Sequence, residues 1–283
     1  MSVIAIPPQP AAPSAGWGFR VSCNRDESRS RPAGQGPAWH ALGVKPGSKA
    51  KRAQWPKDPA GGGTWIAASD RGLVLCLLNL NPEHPLALPP PGALTSRGLV
   101  IPSLIGCESV NEAIEGVRRL DLDSFAPFRF VAIESGADGP VVSDAAWDRR
   151  ELKVTARVAL PACFVSSGLG DHRVLGRLDL FREMLGQPGM LDAAGQAKLV
   201  RQQDLFHKHV WPNAPELSVQ MSRRDARTVS RTIVEVRPSK VGPRVTMQYA
   251  PIPVPAAEAQ RLAAERAAAR TVALPLLGLP APA

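Results

Sequence analysis

The sequence predicts an α+β layered domain. Strand-like runs cluster towards both ends of the chain and helix-like periodicities lie between them, an order that does not suit a simple βαβ parallel sheet. Size and composition agree, since 283 residues at 44% hydrophobic suffice for one large globular core. Aromatics are scarce at 5%, while 29 Pro and 24 Gly point to many short elements joined by turns.

Val3–Ile6 is an apolar run and Trp17–Cys23 reads as a second strand, so the Pro/Ala/Ser/Gly stretch ending at Gly16 becomes the turn of an N-terminal hairpin. Pro32 to Gly63 carries Gly, Pro and Lys without periodicity and reads as a long surface loop. Trp65–Ala68 and Leu73–Leu80 are strand-like around the turn Ser69-Asp70-Arg71-Gly72. Ser96–Ile105 and Ser109–Arg119 read as helices, the second opened by a capping box of Ser109 and Glu112. Phe128–Glu134, Gly139–Ser143, Leu152–Arg157 and Cys163–Ser166 are strand candidates. Val174, Leu175, Leu178, Phe181 and Leu185 repeat at helical spacing. A polar, irregular stretch comes next, and Thr228–Val236 with Arg244–Ala250 forms a closing hairpin. Ala256–Arg270 reads as a surface helix ahead of a disordered Pro/Leu tail. The organisation expected is one domain over residues 1–250 and an Ala/Arg/Pro-rich extension over 251–283.

Net charge is +9, but the basic residues are spread over Lys45 to Lys57 and Arg223 to Arg244 without interleaved aromatics, so solvated faces are expected and nucleic-acid binding is not. The four cysteines, Cys23, Cys76, Cys107 and Cys163, form no CxxC pair and have no His at ligand spacing, so neither a metal nor another cofactor is expected. No signal peptide and no apolar run of membrane-spanning length is visible, and a reduced cytoplasm is the expected compartment. The sequence carries no signal for oligomeric state.

Four places could carry chemistry. Removal of Met1 would leave Ser2 with a free α-amine, whose pKa near ~7.7–8.0 suits it to take the proton of its own hydroxyl; most second-position serines do nothing of the kind. Asn24-Arg25-Asp26-Glu27 follows the run Phe19–Cys23 too closely for all four side chains to enter a core. Asp26 could hold the terminal ammonium and Arg25 an anionic group, or the four could simply start a surface turn. Asn79 ends a long apolar run and could donate to an oxyanion, or form a turn with Asn81-Pro82. Ser166-Ser167-Gly168 is a strand end of small residues that permits close approach of a ligand. The five histidines are scattered, and His207 and His209 read as surface residues.

These segments together resemble the NRDE family, also described as the transport and Golgi organisation family. The matching blocks are Asn24-Arg25-Asp26-Glu27 followed by Arg31-Pro32, then Gly62-Gly63-Thr64-Trp65, the strand ending in Asn79, Ser96-Arg97-Gly98, Pro127-Phe128, Ser166-Ser167-Gly168 and the strand start Arg227–Thr232. The family is in turn similar to N-terminal nucleophile hydrolases of the cholylglycine hydrolase type. That resemblance implies a four-layer αββα sandwich and a C–N (amide) hydrolase. It implies Ser2 as nucleophile, Asp26 and Asn79 as its catalytic companions, and Asn24, Arg25, Ser167 and Arg231 as substrate-binding residues. It implies equally a binding or trafficking role with haem or acyl-CoA, so the expected partner is a small anionic molecule. Two departures stand out: Ser2 replaces the family's Cys, and Ser167 replaces its Asn.

Overall fold

The computed structural model describes residues 2–7, 18–43, 52–84, 86–90, 92–137, 139–186, 193–254 and 260. Chain packing separates a first unit, Met1–Pro251, from a second, Ile252–Ala283. Apart from residue 260, the helix expected over Ala256–Arg270 lies outside the described residues, as do residues 44–51 of the basic segment.

Two antiparallel sheets form the centre of the first unit. The five-stranded sheet contains β1 (Val3–Ile6), β2 (Phe19–Ser28), β10 (Ala162–Val165), β11 (Ala226–Arg237) and β12 (Arg244–Pro251), in the order β10-β1-β2-β11-β12. The seven-stranded sheet runs in sequence order through β3 (Gln35–Ala41), β4 (Arg52–Lys57), β5 (Ile66–Ser69), β6 (Val74–Asn79), β7 (Phe128–Gly136), β8 (Gly139–Trp147) and β9 (Leu152–Thr155). Four α-helices complete the described part: α1 (Val100–Leu104), α2 (Val110–Arg118), α3 (Gly176–Leu185) and α4 (Ala193–Lys208).

Alternation along the strands sorts the apolar side chains into three cores. On β6, Val74, Cys76 and Leu78 face the other sheet, where they meet Ile4 and Ile6 of β1 and Phe19, Val21 and Cys23 of β2. Leu75 and Leu77 of the same strand face outward and pack under Val100, Ile101 and Leu104 of α1 and Ala113 and Val117 of α2. Both faces are covered, which is why β6 reads as a continuous apolar run. Val3 and Ala5 of β1 face the opposite way, against Phe181 and Leu185 of α3 and Leu199 and Phe206 of α4. The layers are therefore helix, sheet, sheet, helix, the αββα sandwich that was expected.

The Ser109 half of the capping box forms at α2, where Ser109 Oγ accepts from the Glu112 amide at 3.1 Å; the Glu112 carboxylate accepts from the Glu108 amide at 2.7 Å, one residue before the N-cap. Three expectations need correction. Residues 32–63 are not one loop, because β3 and β4 pair across Ala38–Ala41 and Arg52–Trp55 as the edge of the larger sheet. The stretch after α3 is not irregular throughout, since α4 occupies Ala193–Lys208 of it. His207 is not a surface residue: it sits near the end of α4 at 1% exposure.

Candidate functional site

The NRDE segment occupies the last turns of β2, and its neighbours explain how four polar side chains are accommodated. Asn24 pairs with Arg231 and Arg25 with Ser230, then a β-bulge at β11 brings Thr228 opposite Asp26. Thr228 donates from Oγ1 to Asp26 Oδ1 at 2.6 Å. On the other side of β2, Ser2 donates its amide to the Asn24 carbonyl at 3.0 Å. The carbonyl of Ser2 accepts from the Ser166 amide at 2.8 Å and, more distantly, from Arg177 Nη1 at 3.5 Å. The first residue of the fold is thus fixed from both neighbouring strands.

Asp26, Ser2 and Arg177 form one electrostatic group. Burial pushes the Asp26 carboxyl up, while the Arg177 guanidinium and the hydroxyls of Thr228 and Ser2 pull it back towards ionisation. By area Asp26 is only partly covered, but heavy atoms surround it closely enough for desolvation to prevail. The Ser2 hydroxyl is sealed from solvent and makes no hydrogen bond of ordinary geometry to a described residue. Arg177 is completely buried on α3, with Nε donating to the Leu217 carbonyl at 2.9 Å and Nη1 to the Ser166 carbonyl at 3.2 Å. Burial lowers its pKa, and Asp26 is the largest influence opposing that.

Asp26 also lines a cleft of about 320 Å³ at this end of the sandwich, together with Arg25, Glu27, Asp58, Trp65 and Asn79 among others. Arg25 lies 4.5 Å above the Trp65 ring and donates to Glu27 at 2.9 Å, with Asp58 at 3.6 Å. Arg31 bridges the same two acids at 3.1 and 2.8 Å. Two guanidinium groups and two carboxylates therefore neutralise one another on one wall. A compact turn presents Asp58: its amide donates to the Gly63 carbonyl, its carbonyl accepts from the Gly62 amide, and its carboxylate accepts from the Ala60 amide. Gly63 lies against Gly98 so closely that a Cβ there would stand 2.2 Å from the Gly98 carbonyl carbon. This contact, with Thr64 donating to the Gly98 carbonyl, joins the Gly-Gly-Thr-Trp and Ser-Arg-Gly blocks.

The structure brings Ser2, Asp26, Arg25 and Asn79 to one end of the fold, with Ser2 behind Asp26 and the other three on the cleft wall. It does not bring Asn24 or Arg231 there. Asn24 faces α4, donating to the carbonyls of His207 and Val219 at 2.9 Å each while its own oxygen meets His207 Nδ1 at 3.0 Å. Those contacts use both donors of the amide and one of its acceptor sites. Arg231 points to the same side and pairs with Asp204 at 3.1 Å. Ser167 lies in the turn after β10, where its hydroxyl accepts from the Leu169 amide and its own amide donates to Asp171. Asn81 holds that turn, donating to Ser166 Oγ at 3.0 Å and to Asp171 at 3.2 Å. Sequence reasoning missed Arg177, Asn81 and Arg97, the last of which lines the cleft. Arg97 alone had a signal, its place in the Ser-Arg-Gly block.

The profile of the family described as Transport and Golgi organisation 2 matches residues 1–178. The chain belongs to this family. The matched stretch contains both glycine-rich blocks, the NRDE segment and the Ser166–Gly168 turn, and it ends just beyond Arg177. Among solved structures, an N-acylethanolamine-hydrolyzing acid amidase ortholog from Caenorhabditis elegans is 15% identical with a TM-score of 0.48, over 81% of this chain and 91% of that one. Penicillin V acylase from Agrobacterium tumefaciens is 11% identical with a TM-score of 0.45, over 87% and 85%. A conjugated bile acid hydrolase from Clostridium perfringens is 10% identical with a TM-score of 0.45, over 90% and 97%. No curated protein sequence matches the chain significantly. Among the described residues no helix is long and apolar enough to cross a membrane.

Proposed function

We propose that this family member is a C–N hydrolase that uses Ser2 as nucleophile once Met1 has been removed. The observation that supports this reading is the Ser2 hydroxyl close behind Asp26, which lines a cleft whose wall also carries Asn79. After removal of Met1 the Ser2 nitrogen is an amine, and the Asn24 carbonyl at 3.0 Å orients it. The amine takes the hydroxyl proton as Oγ attacks the substrate carbonyl carbon. The carbonyl electrons move to oxygen, and the Asn79 amide donates to that oxyanion. Collapse breaks the C–N bond, the ammonium returns its proton to the departing nitrogen, and water then releases the acyl group from Oγ. Asp26 keeps the ammonium in place by its charge, aided by Arg177, which favours the ionised carboxylate.

Intact-mass analysis and a Ser2→Ala variant test this together. Loss of Met1 with an unmodified Ser2, and loss of amide turnover in Ser2→Ala, are expected; a retained Met1 or a blocked amine would remove the mechanism. A second reading, a binding protein for an anionic ligand such as haem or acyl-CoA, is favoured by the near-complete enclosure of the Ser2 side chain. On that reading Ser2→Ala binds ligand unchanged and the wild type turns nothing over. Amides are the substrate class in the first case, and a small anion the partner in the second.

A further inference from the structure

Arg97 stands apart from the other cations of the cleft. Arg25 and Arg31 are each paired with Glu27 and Asp58. Arg97 forms no ion pair among the described residues; its guanidinium donates through Nη1 to the Pro127 carbonyl at 2.8 Å. Glu27 is the one acid whose charge reaches it appreciably, and burial disfavours the charge it carries. A half-buried guanidinium with no acid paired to it is a group that an anion would stabilise.

Arg97 also belongs to a second cavity. Beyond it lies a space of about 330 Å³ walled by Leu80, Pro82, Leu86, Leu88, Ala126 and Leu169. Leu88 is 47% exposed, an apolar surface that a bound chain would cover. Glu83 is the acid on that wall, and it is exposed to solvent. The polar cleft and the apolar cavity share Arg97 as a common lining residue.

From this geometry we infer that Arg97 anchors the carboxylate of an amphipathic ligand whose apolar part occupies the cavity from Leu80 to Leu88. The anion site is Arg97; Arg25 and Arg231 already carry ion pairs, with Glu27 and Asp58 and with Asp204 respectively. The inference rests on the reading of this end of the fold as a ligand site, and it holds whether or not Ser2 is a nucleophile.

Isothermal calorimetry with octanoate and its neutral isostere octanamide tests it. Wild-type protein is expected to bind octanoate saturably and octanamide at least tenfold more weakly, as a charge-assisted contact to a half-buried guanidinium implies. Arg97→Met is expected to remove the preference, and Arg97→Lys to retain part of it. Leu88→Glu, at an exposed position that folding tolerates, is expected to abolish octanoate binding, and it decides the matter if Arg97→Met does not fold. Ser2→Ala is expected to bind octanoate like the wild type, so failure of the nucleophile leaves this result intact. Equal binding of the two probes, a preference that survives in Arg97→Met, or no saturable octanoate binding would overturn the inference.

Discussion

Replacing Arg177 by methionine removes a guanidinium with 0% exposure from the junction of α3, β1 and β10. Two carbonyls, those of Leu217 and Ser166, lose donors at 2.9 and 3.2 Å, and the Ser2 carbonyl loses a longer contact at 3.5 Å. Asp26 loses its principal opposing charge. Leaving the two buried carbonyls without donors and Asp26 without that opposing charge costs on the order of 3–5 kcal/mol together. In a domain of this size that corresponds to a fall in Tm of roughly 6–20 °C. Urea unfolding reads it as a lowered midpoint with an unchanged slope. The pH dependence carries the sharper test. Because the folded Asp26 pKa is raised, its protonated form favours folding; that contribution is complete below the ordinary value of 3.8 and is lost as pH rises through the folded value. Without Arg177 the folded value rises further, so the deficit is largest near neutral pH and shrinks on acidification. A deficit within about 0.5 kcal/mol, the range of ordinary surface substitutions, or one independent of pH, would refute the coupling of Arg177 to Asp26.

Asn24→Ala is expected to cost about 2–4 kcal/mol in urea unfolding, because it strands the carbonyls of His207 and Val219 and the Nδ1 of His207 in a buried setting. His207 is held well below its ordinary pKa of 6.5 by burial, with Arg231 and Arg20 adding to it, so its contribution is present above that value and lost as pH falls. His207→Gln is therefore expected to flatten the decline of the urea midpoint between about pH 7 and 5. Gly63→Ala must displace the Gly98 backbone, whereas Gly62→Ala meets open space and bears only the strain of a φ of +72°. Thermal melts are expected to show a loss near ~1 kcal/mol for Gly62→Ala and a clearly larger one for Gly63→Ala; the reverse order would contradict the packing of the two glycine-rich blocks.

Much of the central sandwich was legible because its strands are covered on both faces or bounded by turn residues. The run Val74–Leu78 and the capping box at Ser109 are local signals that tertiary packing did not override. The edge strand β3 was not legible, since it is largely exposed and contains Pro37, and β4 carries Pro56. The buried face of α4 has helical spacing at Leu199, Gln203, Phe206 and His207, but two of those four are polar. Gln203 donates to the Ala5 carbonyl at 2.9 Å and His207 meets Asn24, so hydrogen bonding to the sheet replaces the apolar pattern that would have revealed the helix. For the site, Asp26 and Asn79 stood out because each is a polar residue following closely on an apolar strand run, although β2 continues past Asp26 to Ser28. Arg177 could not, because nothing local separates one buried arginine from the other basic residues of the chain. Arg231 misled for a related reason: strand alternation sends it to the α4 side with Asn24.

The backbone contact between Gly63 and Gly98 has a mechanical consequence. The turn that presents Asp58 and the segment that carries Arg97 cannot slide past each other, because neither has a side chain there to yield. The acid that balances Arg25 and Arg31 and the cation shared by the two cavities therefore behave as parts of one rigid bracket. On the ligand reading proposed above, such a bracket would be already shaped, with little ordering left to be done on binding. Discrimination between ligands would then come from the fixed distance between the guanidinium and the apolar wall, and a chain too short or too long would be rejected by geometry.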